Sequence, residues 1–496
     1  MSAGGKDGVL LGIDVGTTAT KVVAATREGL VLHQTERENE LRTEEPGEAV
    51  QDAEAVREGA IEAVAECVTW AVDAGHEVEG LSFSTAMHTL LGLDGSGKPV
   101  TPAFNWGDTR SATVAARLRE DWDTASKLHR ATGTPIHTQS VMVKLAWLNG
   151  SRTDLTEGVS FWCALKDFVV TAFTEEFVTD HSLASGTGLQ EMASLSWYEP
   201  ALRHAGISAE QLPELRAPTE VVSLGSRVAR ATGLAEGLPV VLGGGDGPLG
   251  NLGVGAVNPG VAGLSLGTSG ALRVVREEPG VDERCRTFCY ALADGLWVVG
   301  GAVSNGAVVG QWASEAFGID IATLLDEALE VGTGAEGLLA LPYLMGERAP
   351  WWEPGLTGSL IGLRKIHGRA EITRALVEGV GQQLALVCDA VRDAGALVRA
   401  VRATGGGFHS RVWSEVVAAA LNLELELTDN SGGSGLGAVL LGWRALGELD
   451  SLEEAAALVR PNRTVPPSRE AAALMAQRRP TIEQLHQVLD DIPRLK

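Results

Sequence analysis

A short glycine–threonine pattern occurs twice in this chain, about half its length apart. The stretches LLGIDVGTTATKVVAA near the start and VAGLSLGTSGALRVVR from Val261 share one plan: an apolar strand, a glycine, a threonine, a small hydroxyl residue and a second strand. Their glycines, Gly16 and Gly267, are 251 residues apart in a chain of 496. Because self-similarity at a fixed spacing indicates a repeated structural unit, we predict two duplicated lobes that each carry one β-hairpin.

The chain is too long for one ordinary hydrophobic core, which agrees with two large domains. Glycines are dense between Gly243 and Gly255, so we place the boundary near residue 250 and predict lobes at 1–250 and 251–496. Apolar runs and helical periodicity alternate along the chain, which is typical of a mixed α/β fold. We predict strands at 9–13, 21–25, 30–33, 81–85, 239–242, 397–403 and 423–427, and helices at 53–71, at 412–421 and after the glycine-rich stretch 432–437.

Composition restricts the partners of the chain. The formal charge of −24 argues against nucleic acid, since phosphate backbones are bound by basic faces. No run approaches 18 apolar residues, and the start MSAGGKDG lacks the apolar segment of a signal peptide. The five cysteines do not form a zinc-binding pattern and are typical of buried thiols in a reducing compartment. We therefore expect a cytoplasmic protein with a small-molecule ligand and without a nucleic-acid or membrane partner.

The first hairpin has the residues that phosphate binding requires. Gly16 lets the backbone approach a phosphate closely, and Thr17 and Thr18 add hydroxyl and N–H donors. Lys21 could add a positive charge, and Asp14, at the end of an apolar strand, is placed to hold Mg²⁺ through its waters. The spacing of a Walker loop is absent. The alternative is a hairpin whose aspartate only accepts backbone hydrogen bonds.

The segment GGGDG places Asp246 among five glycines, directly after the apolar stretch 239–242. A carboxylate on such a loop can approach a ligand closely, and a general base needs only to reach the proton that it removes. The alternative is an aspartate that caps a local turn. We predict that Asp246 acts as a general base.

A third cluster suits the recognition of hydroxyl groups. Met87 and His88 end a predicted strand, and Trp106, Asp108 and Arg110 follow soon after. Aromatic, acidic and basic side chains close together are typical of a ligand cleft. A lone histidine at the end of a strand is more often structural, so His88 alone carries little weight.

Taken in order, the motifs GIDVGTTATK, STAMH, TGTPIH, GGGDG, SLGTSG, LMGERAPWW and ATGGG resemble the FGGY carbohydrate kinase family over essentially the whole chain. The resemblance implies two ribonuclease-H-like lobes of the actin-like ATPase type, with ATP and sugar in the cleft between them. The stretches FSTAMHTLLGLD, NWGDTRS and RTFCYALADGLWVVGGAVSNG are similar to the gluconate-specific branch. The resemblance thus implies the conversion of gluconate and ATP to 6-phosphogluconate and ADP, with Mg²⁺.

Site roles follow from the resemblance by position. It implies that Asp246 is the catalytic base and that Asp14 is the metal-associated acid. It assigns the first phosphate loop to Gly16, Thr17, Thr18 and Lys21, the second to Gly267 and Thr268, nucleotide contacts to Gly306, Gln311, Gly406 and Gly407, and sugar contacts to Met87 and His88. Two positions depart from the family pattern, Ala307 where a second glycine is common and Arg411 where some members have asparagine, and both bear on adenosine contacts.

Gluconate adds a requirement that neutral sugars lack, because its carboxylate needs a cation or several N–H donors once it loses water. The candidates are Arg110, Lys144, Lys166, Arg348 and a protonated His88. We favour Arg110, since it lies close to Asp108 in a segment predicted to line the cleft.

Two other functions remain open. A kinase of the same family that acts on xylulose, a pentitol or glycerol would keep the phosphate motifs and change only the pocket. A non-kinase actin-like ATPase would share the hairpins but would not need Asp246 together with the segments STAMH and NWGDTRS. For the assembly, the candidate is a homodimer.

Overall fold

Two β-sheets organise the computed structural model, which describes residues 8–428 and 432–490. The first half of the chain contains twelve strands and nine α-helices within the described residues, in the order β1 (Gly8–Val15), β2 (Ala19–Ala25), β3 (Val31–Glu38), β4 (Val50–Gln51), α1 (Ala53–Ala74), β5 (Glu77–Thr85), β6 (Leu91–Leu93), β7 (Ala103–Phe104), α2 (Ala112–Glu120), α3 (Trp122–Thr132), α4 (Val141–Ser151), β8 (Phe161–Cys163), α5 (Leu165–Thr174), β9 (Val178–Asp180), α6 (His181–Ser185), α7 (Glu199–Ala205), β10 (Glu214–Arg216), β11 (Val221–Ser223), α8 (Ser226–Thr232), β12 (Pro239–Gly245) and α9 (Asp246–Gly253).

The second half continues with β13 (Val261–Leu266), β14 (Gly270–Arg276), β15 (Phe288–Ala291), β16 (Trp297–Val303), α10 (Val308–Phe317), α11 (Ile321–Glu330), β17 (Leu339–Leu341), β18 (Ser359–Ile361), α12 (Arg369–Asp393), β19 (Ala400–Thr404), α13 (Arg411–Leu421), β20 (Leu425–Leu427), α14 (Gly433–Ala445), α15 (Leu452–Ala457), β21 (Arg463–Val465) and α16 (Arg469–Asp490). No helix within the described ranges has both the length and the apolar character that crossing a membrane requires.

The two large sheets have the same plan, which confirms the predicted duplication. The first has the order β11-β12-β5-β1-β2-β3, in which β1, β2 and β3 are antiparallel neighbours and β5 and β12 run parallel to β1. The second has the order β15-β16-β14-β13-β19-β20-β21, in which β13, β14 and β16 form the antiparallel part and β19 runs parallel to β13. The hairpins β1–β2 and β13–β14 therefore occupy equivalent places in the two lobes.

Every strand and helix predicted from the sequence is present, with ends that differ by a few residues, and the helix predicted after the stretch 432–437 begins within it, at Gly433. The predicted strand at 397–403 begins only at Ala400, and the predicted strand at 81–85 begins earlier, at Glu77. β5 ends at Thr85, so Met87 and His88 lie in the turn that follows it, where His88 has a positive φ of 65°. A non-glycine residue in this region is uncommon and is found at functional sites.

Helix α14 comes from the second half of the chain but packs on the first sheet. Glycines make this close approach possible, since a Cβ on Gly12 would lie 2.1 Å from the carbonyl oxygen of Gly435. Likewise, a Cβ on Gly437 would lie 1.9 Å from the carbonyl oxygen of Leu249, in α9. The boundary between the lobes at residue 250 therefore stays a prediction, because a helix from the second half of the chain packs against the sheet of the first half.

Candidate active site

A cavity of about 160 Å³ lies between the two lobes. Both halves of the chain contribute to its walls, which are formed by Met87, His88, Trp106, Gln139, Asp246, Gly247, Ser265, Ser269, Gly270, Ala271, Arg273, Phe288, Tyr290, Ala302 and Arg348. Five sequence candidates, namely Met87, His88, Trp106, Asp246 and the candidate cation Arg348, meet in this cavity. The predicted interlobe cleft is therefore present, and the turn after β5 and the start of α9 meet there.

Asp246 is the first residue of α9 and directly follows β12. The backbone before it is tightly packed, since a Cβ on Gly245 would lie 2.6 Å from Cγ of Met87. Although the side chain is open to the cleft, the surrounding walls displace water from it, and this desolvation, with the charge of Asp14, raises the pKa of Asp246 to about 6. A carboxyl group with this pKa can accept a proton near neutral pH.

Asp14 lies near the end of β1, and within residues 8–428 and 432–490 one of its carboxylate oxygens accepts no hydrogen bond that meets the usual distance and angle limits. Ser434 donates to Asp14 Oδ2 over 2.7 Å, while the buried Oδ1 has no hydrogen bond within the described part of the chain. Burial raises the pKa of Asp14, and the hydroxyls of Ser434 and Ser84 oppose that shift, as does, more weakly, the charge of Lys21 on the neighbouring strand. Lys21 itself is half-exposed, with Nζ 3.8 Å from Glu36.

An unpartnered carboxylate oxygen fits a cation that carries its own waters. Among residues 8–428 and 432–490, no group of three or more His, Cys, Asp or Glu side chains is arranged to hold a metal ion. A divalent cation at Asp14 would therefore depend on one carboxylate, water and substrate phosphates, which is the usual mode of Mg²⁺ binding.

The turn of the first hairpin is held by contacts on both sides. Gly16 donates its N–H to the carbonyl oxygen of Ala19 over 3.0 Å, and a Cβ on Gly16 would lie 2.7 Å from that oxygen. Thr17 Oγ1 accepts a hydrogen bond of 3.0 Å from Trp106 Nε1, which leaves its own hydroxyl proton free to donate. Thr18 is exposed. The hairpin thus presents small residues with available donors.

The second hairpin is fixed by the loop before α10. Gly306 donates its N–H to the carbonyl oxygen of Thr268 over 2.9 Å, and Ala307 donates to that of Gly267 over 2.7 Å. A Cβ on Gly306 would lie 2.6 Å from the Gly267 oxygen, so only glycine fits there. The hydrogen bond from Ala307 needs no second glycine, which accounts for this departure from the family pattern.

The loop after β19 reaches the same hairpin from the other side. A Cβ on Gly407 would lie 2.9 Å from Cδ2 of Leu266, whereas Gly406 is exposed with open space around it. Gln311 is also exposed and donates to Glu315 over 3.0 Å. None of these residues lines the cavity, and Gly406 and Gln311 lie on the exposed surface beside the second hairpin.

Burial disfavours a positive charge on His88, so the structure does not support the candidate of a protonated His88 as the carboxylate partner. Burial, with the nearby charge of Lys144, lowers its pKa to about 3. Its Nδ1 lies 2.7 Å from the carbonyl oxygen of Gly186, which assigns the ring proton to Nδ1. Nε2 is then an acceptor, suited to a ligand hydroxyl.

Asp108 and Arg110 do not line the cavity, so the preference for Arg110 as the carboxylate partner is not supported. Arg110 donates to Asp108 Oδ2 over 2.7 Å and to Glu48 over 3.0 Å, and the buried Asp108 also accepts the N–H of Ala49. These carboxylates neutralise the guanidinium group. The pair instead holds the loop that carries Trp106.

The two predicted lysines are also buried among other partners. Lys144 donates to the carbonyl oxygens of His88 and Gln139, each over 2.9 Å, and burial lowers its pKa to about 7. Lys166 forms an ion pair with Asp180, and both side chains are fully buried. Lys144 thus supports the backbone behind the cavity, and Lys166 is neutralised within the first lobe.

Sequence reasoning missed Arg273 and Tyr290. Arg273 lies on β14, two residues beyond Ala271, and both face the cavity because alternate residues of a strand share a face. The available signal was an arginine between the apolar residues Leu272 and Val274 in the second strand of this hairpin. Tyr290 stacks on Phe288 at 4.4 Å between ring centroids, and its buried hydroxyl has no partner among the described residues.

Comparison with known proteins decides the family. Residues 9–253 match the N-terminal domain, and residues 262–446 the C-terminal domain, of the FGGY family of carbohydrate kinases. The chain belongs to this family. A gluconokinase of Bacillus subtilis (strain 168) is 36% identical over 459 residues, which cover 90% of this chain and 89% of that protein.

Solved structures of this family have the same architecture. A gluconate kinase and a ligand-bound xylulose kinase, both from Lactobacillus acidophilus, each superpose with a TM-score of 0.92 at 28% identity, covering 97% of this chain and 98% of theirs. The predicted fold of two duplicated ribonuclease-H-like lobes, of the actin-like ATPase type, is confirmed. The chain is a carbohydrate kinase by family.

Proposed function

We propose that this protein is an ATP-dependent gluconokinase, which phosphorylates the terminal hydroxyl of gluconate to give 6-phosphogluconate. The observation that carries the proposal is the position of Asp246, which faces the interlobe cavity with a pKa of about 6. A base of this kind can remove the proton from an attacking hydroxyl near neutral pH. The 36% identity to a gluconokinase favours gluconate as the substrate.

The walls of the cavity suit a polyhydroxylated ligand. Three buried polar atoms that face it have no partner among the described residues, namely Gln139 Oε1, the Tyr290 hydroxyl and Arg348 Nε. Unpaired buried polar atoms are costly, so a ligand with several hydroxyl groups would stabilise them. His88 Nε2 adds an acceptor, and Met87 and Trp106 add apolar surface for the carbon chain.

The two hairpins and Asp14 would serve the nucleotide. When bound, ATP supplies the transferable phosphoryl group, and Mg²⁺ neutralises part of its charge. Gly16, Thr17 and Thr18 on one side and Gly267 and Thr268 on the other would donate N–H and hydroxyl groups to phosphates. Asp14 would hold the cation through its unpartnered oxygen. Lys21, Gly306, Gln311, Gly406 and Gly407 remain candidates for further nucleotide contacts.

A xylulose kinase is the second candidate. The xylulose kinase of Lactobacillus acidophilus is as similar in structure as the gluconate kinase of that organism, with a TM-score of 0.92 for both. Both substrates are polyhydroxylated chains, so the phosphate hairpins and Asp246 cannot separate them. Gluconate has one more carbon than xylulose and no ketone, and its carboxylate makes it the charged substrate of the two.

The test is ADP release measured over a panel of gluconate, other aldonates, xylulose, pentitols, glycerol and no acceptor. We expect kcat/KM to be highest for gluconate, with Asp246→Asn lowering kcat by roughly 100- to 10,000-fold while gluconate still binds. A higher kcat/KM for xylulose than for gluconate would identify xylulose as the substrate. Equal ADP release without any acceptor would indicate an ATPase and would contradict the kinase assignment.

A further inference from the structure

Two guanidinium groups, those of Arg273 and Arg348, face the same cavity. Among the described residues, neither forms an ion pair with a carboxylate, in contrast to Arg110, which has Asp108 and Glu48 as partners. Burial lowers the pKa of both arginines, although the charge of Asp246 opposes this shift at Arg273 and that of Glu347 opposes it at Arg348. The charge of Arg273 also lowers the pKa of Arg348. Asp246 lines the same cavity and offsets part of this positive charge, and a bound anion would offset more of it.

The guanidinium group of Arg348 is held by two contacts, and one of its N–H donors has no partner among the described residues. Its Nη2 donates to the carbonyl oxygen of Val303 over 2.9 Å, and its guanidinium group lies 5.1 Å from the centroid of the Trp106 ring. Its Nε is buried without a partner in the described part of the chain. The guanidinium group is thus fixed in orientation and still has an unsatisfied donor. Binding of a planar anion requires both.

Arg273 reaches the cavity because its neighbours are glycines. A Cβ on Gly300, which pairs with it on β16, would lie 3.0 Å from Arg273 Cγ, and a Cβ on Gly247 would lie 3.3 Å from its Nε. The position beside Gly247 also brings Arg273 close to Asp246, whose charge it partly offsets. Larger neighbours would displace the guanidinium group from the cavity.

We propose that Arg273 and Arg348 together bind the carboxylate of the substrate, so that this kinase selects acyclic sugar acids over neutral sugars and polyols. The proposal rests on the proposed function and names the group by which that site recognises gluconate. A neutral chain would leave two partly buried guanidinium groups with only the nearby charges of Asp246 and Glu347 to offset them, and sites built for a charged group discriminate strongly against analogues that lack it. The alternative is that these two arginines bind a phosphate group of ATP.

The first measurement is the affinity for gluconate without nucleotide, determined by titration calorimetry. We expect Arg273→Gln to weaken gluconate binding by roughly 10- to 100-fold, since hydrogen bonds between charged groups are lost, and Arg273→Lys to restore part of it. Arg227→Gln is the matched control, because Arg227 is exposed and pairs with Glu58 on the surface. Melting temperatures of all variants check that each one folds.

The second measurement separates the carboxylate from the nucleotide. We expect Arg273→Gln and Arg348→Lys to raise the KM for gluconate and to lower the preference for gluconate over glucitol, its neutral counterpart, while the KM for ATP changes less than about twofold. A KM for ATP that rises as much as that for gluconate would assign the arginines to phosphate and overturn the proposal. So would unchanged gluconate affinity in folded Arg273→Gln.

Failure of the proposed function gives a different result. A wild-type protein that prefers xylulose to gluconate contradicts the gluconokinase assignment, whatever the variants do. Wild-type protein could instead bind another aldonate, with Arg273→Gln weakening that binding. This result would support the carboxylate site at the two arginines and would change only the identity of the acid. Absence of binding by gluconate and by every other aldonate tested would overturn both proposals.

Discussion

Trp106 Nε1 donates a hydrogen bond to Thr17 Oγ1 over 3.0 Å. The same indole ring lies under the guanidinium group of Arg348, 5.1 Å from its centroid, and lines the interlobe cavity. One side chain therefore joins the first phosphate hairpin to the wall of the substrate cavity. Thr17 and Trp106 are 89 residues apart in the chain, so this connection depends on the tertiary fold.

Trp106→Phe tests this connection. Phenylalanine keeps an aromatic face for Arg348 but cannot donate to Thr17, and one hydrogen bond contributes about 1 kcal/mol. We expect kcat/KM for gluconate to fall about fivefold, with the KM for ATP also raised because the hairpin is less fixed. The control is Trp122→Phe, since Trp122 is 53% exposed on α3. Steady-state kinetics that match wild type would contradict the role of this hydrogen bond.

The pH dependence of kcat/KM tests the assignment of Asp246. Its pKa is raised to about 6 by desolvation and by the charge of Asp14, and a general base acts only when deprotonated. Activity should therefore be full above this pKa and should fall tenfold for each pH unit below about 6. An ordinary aspartate would place this fall near pH 4. Rates measured with twice the coupling enzyme serve as the control, and an acidic limb near pH 4 would contradict the prediction.

Asp14→Asn should lower the activity of the protein without lowering its thermal stability. Burial raises the pKa of Asp14, so its charged form destabilises the fold once the pH exceeds the pKa of the unfolded residue. Asparagine removes this charge, and we expect a melting temperature at pH 7 that is equal to or above that of wild type. The loss of the cation ligand should lower kcat on the order of 100-fold and raise the Mg²⁺ concentration required for half-maximal activity.

Ser434→Ala is the matched variant for Asp14→Asn. It removes the 2.7 Å hydrogen bond to Asp14 Oδ2 but keeps the carboxylate, so kcat should change far less. An Asp14→Asn protein that melts well below wild type would indicate a structural role for the carboxylate. Unchanged dependence on Mg²⁺ would contradict the assignment of a cation to Asp14.

The sequence predicted the parts of the site that depend on local backbone. The turn at Gly16 and the exposed carboxylate of Asp246 follow from short glycine patterns, and the structure brings them to one cleft as their place at strand ends predicts. Side-chain pairing was predicted poorly. Arg110 is neutralised by Glu48, which is 62 residues away, and Asp14 is contacted by Ser434, 420 residues away. Such partners come from the packing of whole elements, which no local pattern contains.

The two pocket arginines illustrate the same limit. Arg348 was only one of five candidate cations, and Arg273 was not considered, although it lies between apolar residues in the second strand of the second hairpin. Both line the cavity and form no ion pair among the described residues, whereas Arg110 and Lys166 have carboxylate partners and Lys144 does not line the cavity. Cationic side chains without a carboxylate partner could be identified only after the carboxylates around each candidate were located.

Gly306→Ala tests whether the loop before α10 sets the shape of the second phosphate hairpin. The new Cβ would lie 2.6 Å from the carbonyl oxygen of Gly267 and 2.7 Å from that of Ser269, so the hairpin must move. Overpacking of this kind costs about 1–3 kcal/mol of stability. We expect a lower melting temperature and a KM for ATP that rises more than the KM for gluconate, since Gly267 and Thr268 would serve the nucleotide.

Gly332→Ala is the matched control for this last variant. A Cβ on Gly332 meets nothing within 4 Å, and its φ is not in the left-handed region, so the substitution should leave both KM values and the melting temperature near those of wild type. If Gly306→Ala raises the KM for gluconate as much as that for ATP, the displaced hairpin also shapes the substrate cavity. That outcome would contradict the division of the cleft into a nucleotide side at the second hairpin and a substrate side near His88.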